Sequence, residues 1–371
     1  MKWSWKIGTF AGIDVFMHAT FLILIGFVAL SYWGVNQSLI SVVEGVGFIL
    51  ALFACVLLHE YGHALTARKY GIKTRDITLL PIGGVARLER MPDDPRQELW
   101  VALAGPAVNV VIAAVLFAWL TLTSSMVPIS ALGVSSGSFI ERLMVVNLFL
   151  VGFNMIPAFP MDGGRVLRAL LAMRMEYTRA TSMAASLGQF LAIVFGFIGL
   201  FTNPFLLFIA FFVWIGAGQE ASMVQMKSAL GGIPVSQAMI TNFTTLSTQD
   251  TLEDAVELIL RGSQEDFPVT ENGRVVGVLM RKDLFSALKR QGNRVPVAEV
   301  MRSDFHTADS YDMLEVAFRN MQECQCHTLP ITHGGQIVGV LTMDNVGEFL
   351  AIQAALEPGK SRAREMDVLR D

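Results

Sequence analysis

The hydrophobic residues of this chain fall into long runs, and six of these runs are long enough to cross a lipid bilayer as helices. A hydrocarbon core of about 30 Å needs roughly 20 mostly apolar residues in a helix. The six predicted spans cover residues 15–33, 43–64, 99–123, 139–156, 183–201 and 204–218. Beyond residue 218 the chain becomes polar and alternates helical with strand-like patterns. The pattern predicts a multi-pass α-helical membrane protein with six transmembrane helices and a C-terminal α/β domain.

Composition agrees with this division and excludes one class of partner. The chain has 371 residues, of which 53% are hydrophobic and 16% charged, so it is too apolar for a single soluble domain. Its net charge is only -4, and it has no basic run or phosphate-binding glycine loop, so no nucleic-acid partner is expected. Cys55, Cys324 and Cys326 are an odd number of cysteines, which argues against a disulfide framework and for a soluble part in a reducing cytosol.

Lysine and arginine are distributed unevenly among the segments between the spans. They precede the first span and are concentrated after the second and after the fourth. By the positive-inside rule these segments are cytoplasmic. The alternate connections contain no lysine or arginine: 34–41, 124–138 and 202–203. We therefore expect a protein of the plasma membrane with both termini in the cytoplasm.

The second span ends in a pentapeptide with the spacing of a zinc site, His59-Glu60-Tyr61-Gly62-His63. Residues four apart lie on one face of a helix, so His59 and His63 can offer ring nitrogens to one ion. Glu60 is not itself a ligand and is placed to accept a proton from an attacking water. Two histidines leave a catalytic zinc one protein ligand short.

The end of the fourth span offers that third ligand. Pro157 and Pro160 break the helix there, two glycines follow, and Asp162 is the only ionisable side chain of residues 154–164. An unwound helix end at membrane depth is tolerated only where it faces a cavity. Asp162 can bind the metal or cap the helix predicted over 163–177, and the two roles are not exclusive. We favour metal binding.

With both motifs in place, the chain resembles the site-2 protease family of intramembrane zinc metalloproteases. The resemblance rests on His59-Glu60-x-x-His63 together with Asn154-x-x-Pro-x-x-Pro-x-Asp162-Gly. It implies that His59, His63 and Asp162 hold one Zn²⁺ per chain and that Glu60 is the general base. It also implies that Asn154 helps to hold the unfolded backbone of a membrane-embedded protein substrate.

Two further segments agree with the pattern of that family. Alternating residues before Leu80-Pro81-Ile82-Gly83-Gly84-Val85 predict a short hairpin, whose edge strand could bind an extended substrate. A loop at the membrane interface without a substrate role explains the same segment equally well. In the third span, Gly105 lets another helix approach closely, and Asn109 is expected to face the site without being catalytic.

The soluble part repeats itself at a period of 62 residues, as in Pro234-Val235 and Pro296-Val297. Each copy, 233–292 and 296–352, has a helix, a strand, a glycine turn, a second strand and a closing helix. This order resembles a tandem pair of cystathionine-β-synthase (CBS) domains.

Such pairs commonly bind adenine nucleotides through a threonine and an aspartate near the end of the last strand, which makes ATP or AMP candidate ligands. The first copy has Asp283 but Met280 at the threonine position, and the second has Thr342 but Asn345 at the aspartate position. Asp283 and Thr342 are therefore candidate nucleotide contacts, and the alternative is a pair used for homodimerisation or substrate docking without a ligand.

Together these observations predict an intramembrane zinc endopeptidase at 1–222, a regulatory CBS pair at 233–352, and a disordered tail at 353–371. Such an enzyme hydrolyses peptide bonds within or near transmembrane segments, in regulated intramembrane proteolysis. Two alternatives stay open: a membrane transporter gated by its CBS pair, and a catalytically inactive scaffold. A missing metal ligand would indicate the scaffold, and none is missing.

Overall fold

A computed structural model of the chain describes residues 3–81, 83–92, 94–123, 137–324 and 326–356. The chain divides into two compact units, Met1–Val224 and Gln225–Asp371. Most of the predicted outer connection 124–138 lies outside the described residues. The same holds for the predicted tail beyond Leu356, whereas the first four residues of that tail complete the last helix.

The first unit is built from seven long or medium helices within the described part of the chain. They are α1 (Ala19–Asn36), α2 (Leu39–Lys69), α3 (Pro95–Leu122), α4 (Phe139–Asn154), α5 (Asp162–Ala172), α6 (Tyr177–Phe201) and α7 (Phe205–Leu230). Four of them, α2, α3, α6 and α7, are long and apolar enough to cross a membrane. The helices at the first and fourth predicted spans are shorter, with 18 residues in α1 and 16 in α4. The multi-pass helical architecture is confirmed, and the count of six spans stays a prediction.

A four-stranded sheet accompanies these helices in the order β1-β2-β3-β4. Its strands are β1 (Ser4–Phe10), β2 (Ile13–His18), β3 (Thr74–Leu80) and β4 (Gly83–Leu88). The β3–β4 pair is antiparallel and is the hairpin predicted from the sequence. Strand β4 lies at one edge of the sheet, and among the described residues no further strand pairs with its outward side.

The β1–β2 hairpin was not predicted, and the prediction of a span starting at residue 15 was wrong at that end. Residues 13–18 are a strand, and α1 begins only at Ala19, with His18 as its cap. The signal was present, because Trp3, Trp5 and Ile7 are exposed at alternate positions before a turn at Ala11-Gly12. Both turn residues have positive φ, as a two-residue hairpin turn of type I′ requires.

Helix α3 is central to the first unit, where it packs against α2, α4 and α5. The α2–α3 contact is close because Gly62 has no side chain. A Cβ added there would lie 2.6 Å from the backbone oxygen of Ala104. Between α4 and α5 the chain makes a tight loop, and a Cβ at Gly163 would lie 2.3 Å from the oxygen of Ile156. Glycines therefore allow close contact between α2 and α3, and between α5 and the loop that precedes it.

The second unit contains two copies of one arrangement, each with a three-stranded sheet and two helices. The first copy has β5 (Leu246–Ser247), α8 (Leu252–Arg261), β6 (Phe267–Glu271), β7 (Arg274–Leu279) and α9 (Arg281–Gln291). The second has β8 (Ala308–Asp309), α10 (Leu314–Cys324), β9 (Thr328–His333), β10 (Gln336–Thr342) and α11 (Met343–Leu356). The sheet orders are β5-β6-β7 and β10-β9-β8.

The two copies exchange the segments that precede them. Pro234, ahead of the first copy, pairs with Met313 of the second, whereas Pro296, ahead of the second, pairs with Thr251 of the first. The apolar residues follow the same exchange, because Val235 packs in the core of the second copy. Each copy is therefore completed by the other.

Two of the cysteines are bonded to each other, Cys324 and Cys326, and Cys55 is free and buried. The sequence did not predict this bond. It joins the end of α10 to the turn that follows and cross-links no separate elements, so it does not form a disulfide framework.

Candidate metal centre

Helix α2 places His59 and His63 on one face, as their spacing predicts. Their Nε2 atoms are 3.0 Å apart, and both side chains are buried. Asp162 approaches from α5, with its Oδ2 3.0 Å from Nε2 of His59 and 3.2 Å from Nε2 of His63. Asp162 is at least 99 residues away from either histidine in the sequence, yet the three predicted ligands converge on one point.

The helix-capping alternative for Asp162 is not what the structure shows. Asp162 is the first residue of α5, and Met161 occupies the cap position without a side-chain hydrogen bond. The Asp162 carboxylate points instead at the two histidines. Its position in the first helical turn still places its negative charge near the positive end of the helix dipole.

The three side chains fit a zinc ion. Nitrogen and oxygen ligands about 2.0–2.1 Å from a tetrahedral zinc lie roughly 3.3 Å from one another. The three distances found here, 3.0, 3.0 and 3.2 Å, approach that value. Two neutral imidazoles and one carboxylate are also a donor set that zinc accepts in catalytic sites, which keep one position open.

A chain of hydrogen bonds fixes the tautomer of His59. Asn147 donates from Nδ2 to the backbone oxygen of Leu143 (2.8 Å), so its Oδ1 must face Asn109. Asn109 donates from Nδ2 to that oxygen (2.8 Å), and its own Oδ1 accepts from Nδ1 of His59 (2.5 Å). Because Nδ1 carries the proton, the lone pair of His59 lies on Nε2, toward the other ligands.

His63 is oriented by a simpler contact, in which its Nδ1 donates to the backbone oxygen of Val101 (2.7 Å). Both histidines are thus held by α3, and such contacts behind metal ligands fix ring orientation. Asn109 faces the site as the sequence suggests. Asn147 and Val101 were missed, because nothing local distinguishes a structural asparagine on α4 or a carbonyl on α3.

Gly105 of α3 lies against the two histidine rings, where there is no room for a side chain. A Cβ added at Gly105 would lie 2.2 Å from Nε2 of His63 and 2.6 Å from Nε2 of His59. Any larger residue would overlap the ring nitrogens that are the candidate metal ligands. The close helix approach predicted at Gly105 therefore serves the histidine rings directly.

The side chain of Glu60 contacts strand β4 of the sheet. Its Oε2 accepts a hydrogen bond of 3.1 Å from the backbone amide of Ala86 in β4. A Cβ added at Gly84 would lie 2.7 Å from Cγ of Glu60, so the strand passes close beside this carboxylate. The outward edge of β4 and the candidate general base are therefore direct neighbours.

Asn154 is the last residue of α4, half-buried at the start of the loop that leads to Asp162. Within the described ranges its side chain makes no hydrogen bond, so its amide is available to a partner. Asn154 and Asp162 therefore flank the same loop, one at the end of α4 and the other at the start of α5.

The two candidate nucleotide contacts lie at different positions of the repeat, Asp283 in the closing helix of the first CBS copy and Thr342 at the end of the last strand of the second. Asp283 on α9 forms a two-pronged ion pair with Arg302 (2.6 and 3.2 Å), which raises the pKa of the Arg302 guanidinium. Thr342 ends β10, and its hydroxyl accepts the backbone amide of Asn345 (3.1 Å). The structure does not bring Asp283 and Thr342 together into one threonine–aspartate pair.

Comparison with known proteins decides the family. The sequence model of peptidase family M50 matches residues 47–141 and 125–195. A zinc metalloprotease of Methanocaldococcus jannaschii is 32% identical over 354 residues, which cover 95% of this chain and 97% of the relative. The chain belongs to peptidase family M50. This M50 protein is a zinc-dependent protease of the membrane, as its sequence predicts.

Other matches cover the two parts of the M50 protein separately. A site-2 protease structure from Methanocaldococcus jannaschii is 38% identical and covers 59% of this chain and 95% of that one, with a TM-score of 0.44. The CBS domain model matches 235–290 and 297–351. The CBS domain-containing protein YhcV of Bacillus subtilis is 28% identical over 114 residues, which are 30% of this chain and 81% of that protein. Nothing among these relatives supports the transporter or the inactive scaffold.

Proposed function

We propose that His59, His63 and Asp162 hold one zinc ion and that Glu60 is the general base of an intramembrane endopeptidase. The observation that supports this assignment is the convergence of the three ligand atoms, all within 4.8 Å of one another, in a buried site beside Glu60. Buried ionisable groups at membrane depth are costly and are usually functional.

When bound, zinc supplies a Lewis acid for the peptide carbonyl and for the attacking water. Glu60 accepts a proton from that water and delivers it to the leaving amide nitrogen. His59 and His63 present Nε2 because their Nδ1 protons are committed to Asn109 and Val101.

We propose that the substrate binds as an extended strand along the free edge of β4. This edge runs beside Glu60, so a substrate strand paired with it places its backbone next to the general base. The Ala86 amide, which donates to Glu60 in the free protein, becomes a donor for the substrate. Asn154, with its free amide, holds the substrate backbone on the opposite side.

The proposed arrangement in the membrane has six spans, with α1 and α4 completing the four long apolar helices. Both termini are cytoplasmic, in the plasma membrane, because the cationic segments lie on one side. The protease domain covers 1–222 and the CBS pair 233–352. The metal centre then lies toward the cytoplasmic end of α2.

We propose that the CBS pair modulates the protease, through an adenine nucleotide such as ATP or AMP and through homodimerisation. Asp283 and Thr342 are the proposed contacts to the nucleotide. Nucleotide binding by Asp283 requires this residue to break its ion pair with Arg302. The test compares the binding of ATP and AMP to the wild type and to Arg302→Ala by calorimetry. Binding heat that is larger in the variant supports the site, and no heat at millimolar nucleotide in either protein overturns it.

The decisive experiment compares Glu60→Gln and Asp162→Asn in the full chain, with a membrane-embedded substrate and a zinc assay. Glu60→Gln is expected to abolish cleavage while zinc stays near one per chain, and Asp162→Asn is expected to lower zinc occupancy. The matched control is Glu44→Gln, an exposed glutamate on the same helix. Cleavage retained by Glu60→Gln, or unchanged zinc affinity in Asp162→Asn, contradicts the assignment. Substrates are identified by co-purification with the Glu60→Gln protein.

A further inference from the structure

A fully buried arginine joins three helices of the membrane unit. Arg168 donates from Nε (2.8 Å) and Nη2 (2.5 Å) to Oε1 of Glu98, and from Nη1 to Oε1 of Glu220. The side chains of Arg168 and Glu98 are completely buried. Burying charges is costly even when they are paired, so the network is not explained by stability alone.

The Arg168–Glu98 ion pair connects the helix that carries Asp162 to the helix that orients the two histidines. Arg168 lies on α5, which begins with Asp162, and Glu98 lies in the first turn of α3. Helix α3 also supplies Asn109 and Val101, which orient the histidines. The ion pair therefore connects α5, which begins with Asp162, to α3, whose residues hydrogen-bond to His59 and His63.

Arg168 also contacts the chain on the other side of Asp162. Its guanidinium carbon lies 5.0 Å from the ring centroid of Phe159, in the loop just before the aspartate, and 5.0 Å from that of Tyr177. Phe159 is fully buried. A stacked cation restrains such a ring, so the segments before and after Asp162 are both held by one side chain.

Helix α7 completes the arrangement from a third direction. Glu220 binds Arg168, and one turn earlier Gly216 packs so closely on the same loop that an added Cβ would lie 2.6 Å from Cδ of Pro160. The loop before Asp162 and helix α5 therefore contact both α3 and α7.

From these contacts we propose that Arg168 is a positioning residue of the metal centre. Glu98 and Glu220 hold its guanidinium, and the guanidinium holds α5 and Phe159 so that Asp162 faces His59 and His63. This inference rests on the proposed role of Asp162 as a zinc ligand. A purely structural arginine would affect stability without affecting the metal, and this difference can be measured.

The test measures the zinc dissociation constant of the full chain by competition with a chelator, together with its thermal unfolding. Loss of a partner behind a metal ligand typically weakens metal affinity about 10- to 100-fold. Arg168→Gln is expected to raise the zinc dissociation constant by that factor, and Glu220→Gln by a smaller one. Arg168→Lys keeps the charge but not the fork geometry and is expected to restore part of the affinity. Arg174→Gln, an exposed arginine just beyond α5, is the matched control and should change nothing.

A double variant separates positioning from general destabilisation. If Arg168 acts through Asp162, Arg168→Gln adds no further loss of zinc affinity once Asp162→Asn is present. Additive losses contradict the inference, and so does an unchanged zinc dissociation constant in folded Arg168→Gln. If Arg168→Gln does not fold, Glu220→Gln tests the same point, because it leaves the Arg168–Glu98 pair in place.

The same measurements distinguish this inference from the proposed function. An unchanged zinc dissociation constant in Asp162→Asn refutes the ligand assignment itself. A raised constant in Asp162→Asn with no effect of Arg168→Gln and Glu220→Gln refutes only the positioning role of Arg168.

Discussion

The backbone amide of Ala86 donates a hydrogen bond to the carboxylate of Glu60, although the two residues lie on different elements. The free edge of β4 is therefore joined to the candidate general base. In the proposed mechanism, the substrate strand and the proton acceptor Glu60 therefore share one surface.

Gly84→Ala tests this relationship. The new Cβ would lie 2.7 Å from Cγ of Glu60, so the carboxylate must move or the strand must withdraw. A displacement of about 1 Å can cost roughly 100-fold in rate, so we expect the kcat for peptide cleavage to fall by about that factor. Zinc content should stay near one per chain. Gly47→Ala on α2, where a Cβ meets nothing within 4 Å, is the control. Wild-type cleavage by Gly84→Ala would disprove the close approach.

Gly105→Ala is predicted to prevent zinc binding. Its methyl group would lie 2.2 Å from Nε2 of His63, one of the proposed ligand atoms. We expect both zinc content and cleavage to be lost, as measured by metal analysis of the purified protein. Gly152→Ala on α4, which has open space around it, should bind zinc normally. Full zinc content in Gly105→Ala would show that the histidine rings lie elsewhere.

Asn147→Ala is predicted to weaken zinc binding without touching a ligand. The change leaves the buried Nδ2 of Asn109 without an acceptor and removes the contact that fixes the Asn109 amide behind His59. An unsatisfied buried donor lowers the stability of the folded protein by about 1–3 kcal/mol. Loss of a hydrogen bond behind a metal ligand typically lowers metal affinity about 10- to 100-fold. Chelator competition measures the affinity. The control is Leu148→Ala, a change at the exposed neighbouring residue. Equal zinc affinities for the two variants would contradict the role of the hydrogen-bond chain from Asn147 to His59.

The contribution of Asp254 to the stability of the CBS unit is predicted to disappear at low pH. Hydrogen bonds from the backbone amide and hydroxyl of Thr251 lower the pKa of Asp254 below its usual value of 3.8. A lowered pKa in the folded protein means that the contribution is complete above the usual value and is lost as the pH falls through the lowered one. The Tm difference between wild type and Asp254→Asn should therefore shrink from pH 5 toward about pH 2. Glu253→Gln is the control, and a Tm difference that is constant with pH would be inconsistent with this prediction.

The sequence determined those features that depend on neighbours along the chain. Spacing of four in one helix places His59 and His63 together, and a broken helix end identifies Asp162. The repeat at 62 residues likewise reveals two copies of one domain, because each copy must contain the same local pattern of helix and strand. These predictions agree with the structure because helix geometry and hydrophobic periodicity are local properties.

Only the tertiary structure decided the contacts between distant elements. Asn147, Val101 and Arg168 were not predicted, since the roles of an asparagine, a backbone carbonyl and an arginine between two predicted spans depend on the helices packed against them. The repeat also did not predict that the segments of Pro234 and Pro296 pair with the opposite CBS copy. The same repeat is equally consistent with two self-contained copies. Sequence patterns report periodicity within an element, whereas the position of one element against another depends on which buried polar groups find partners after packing.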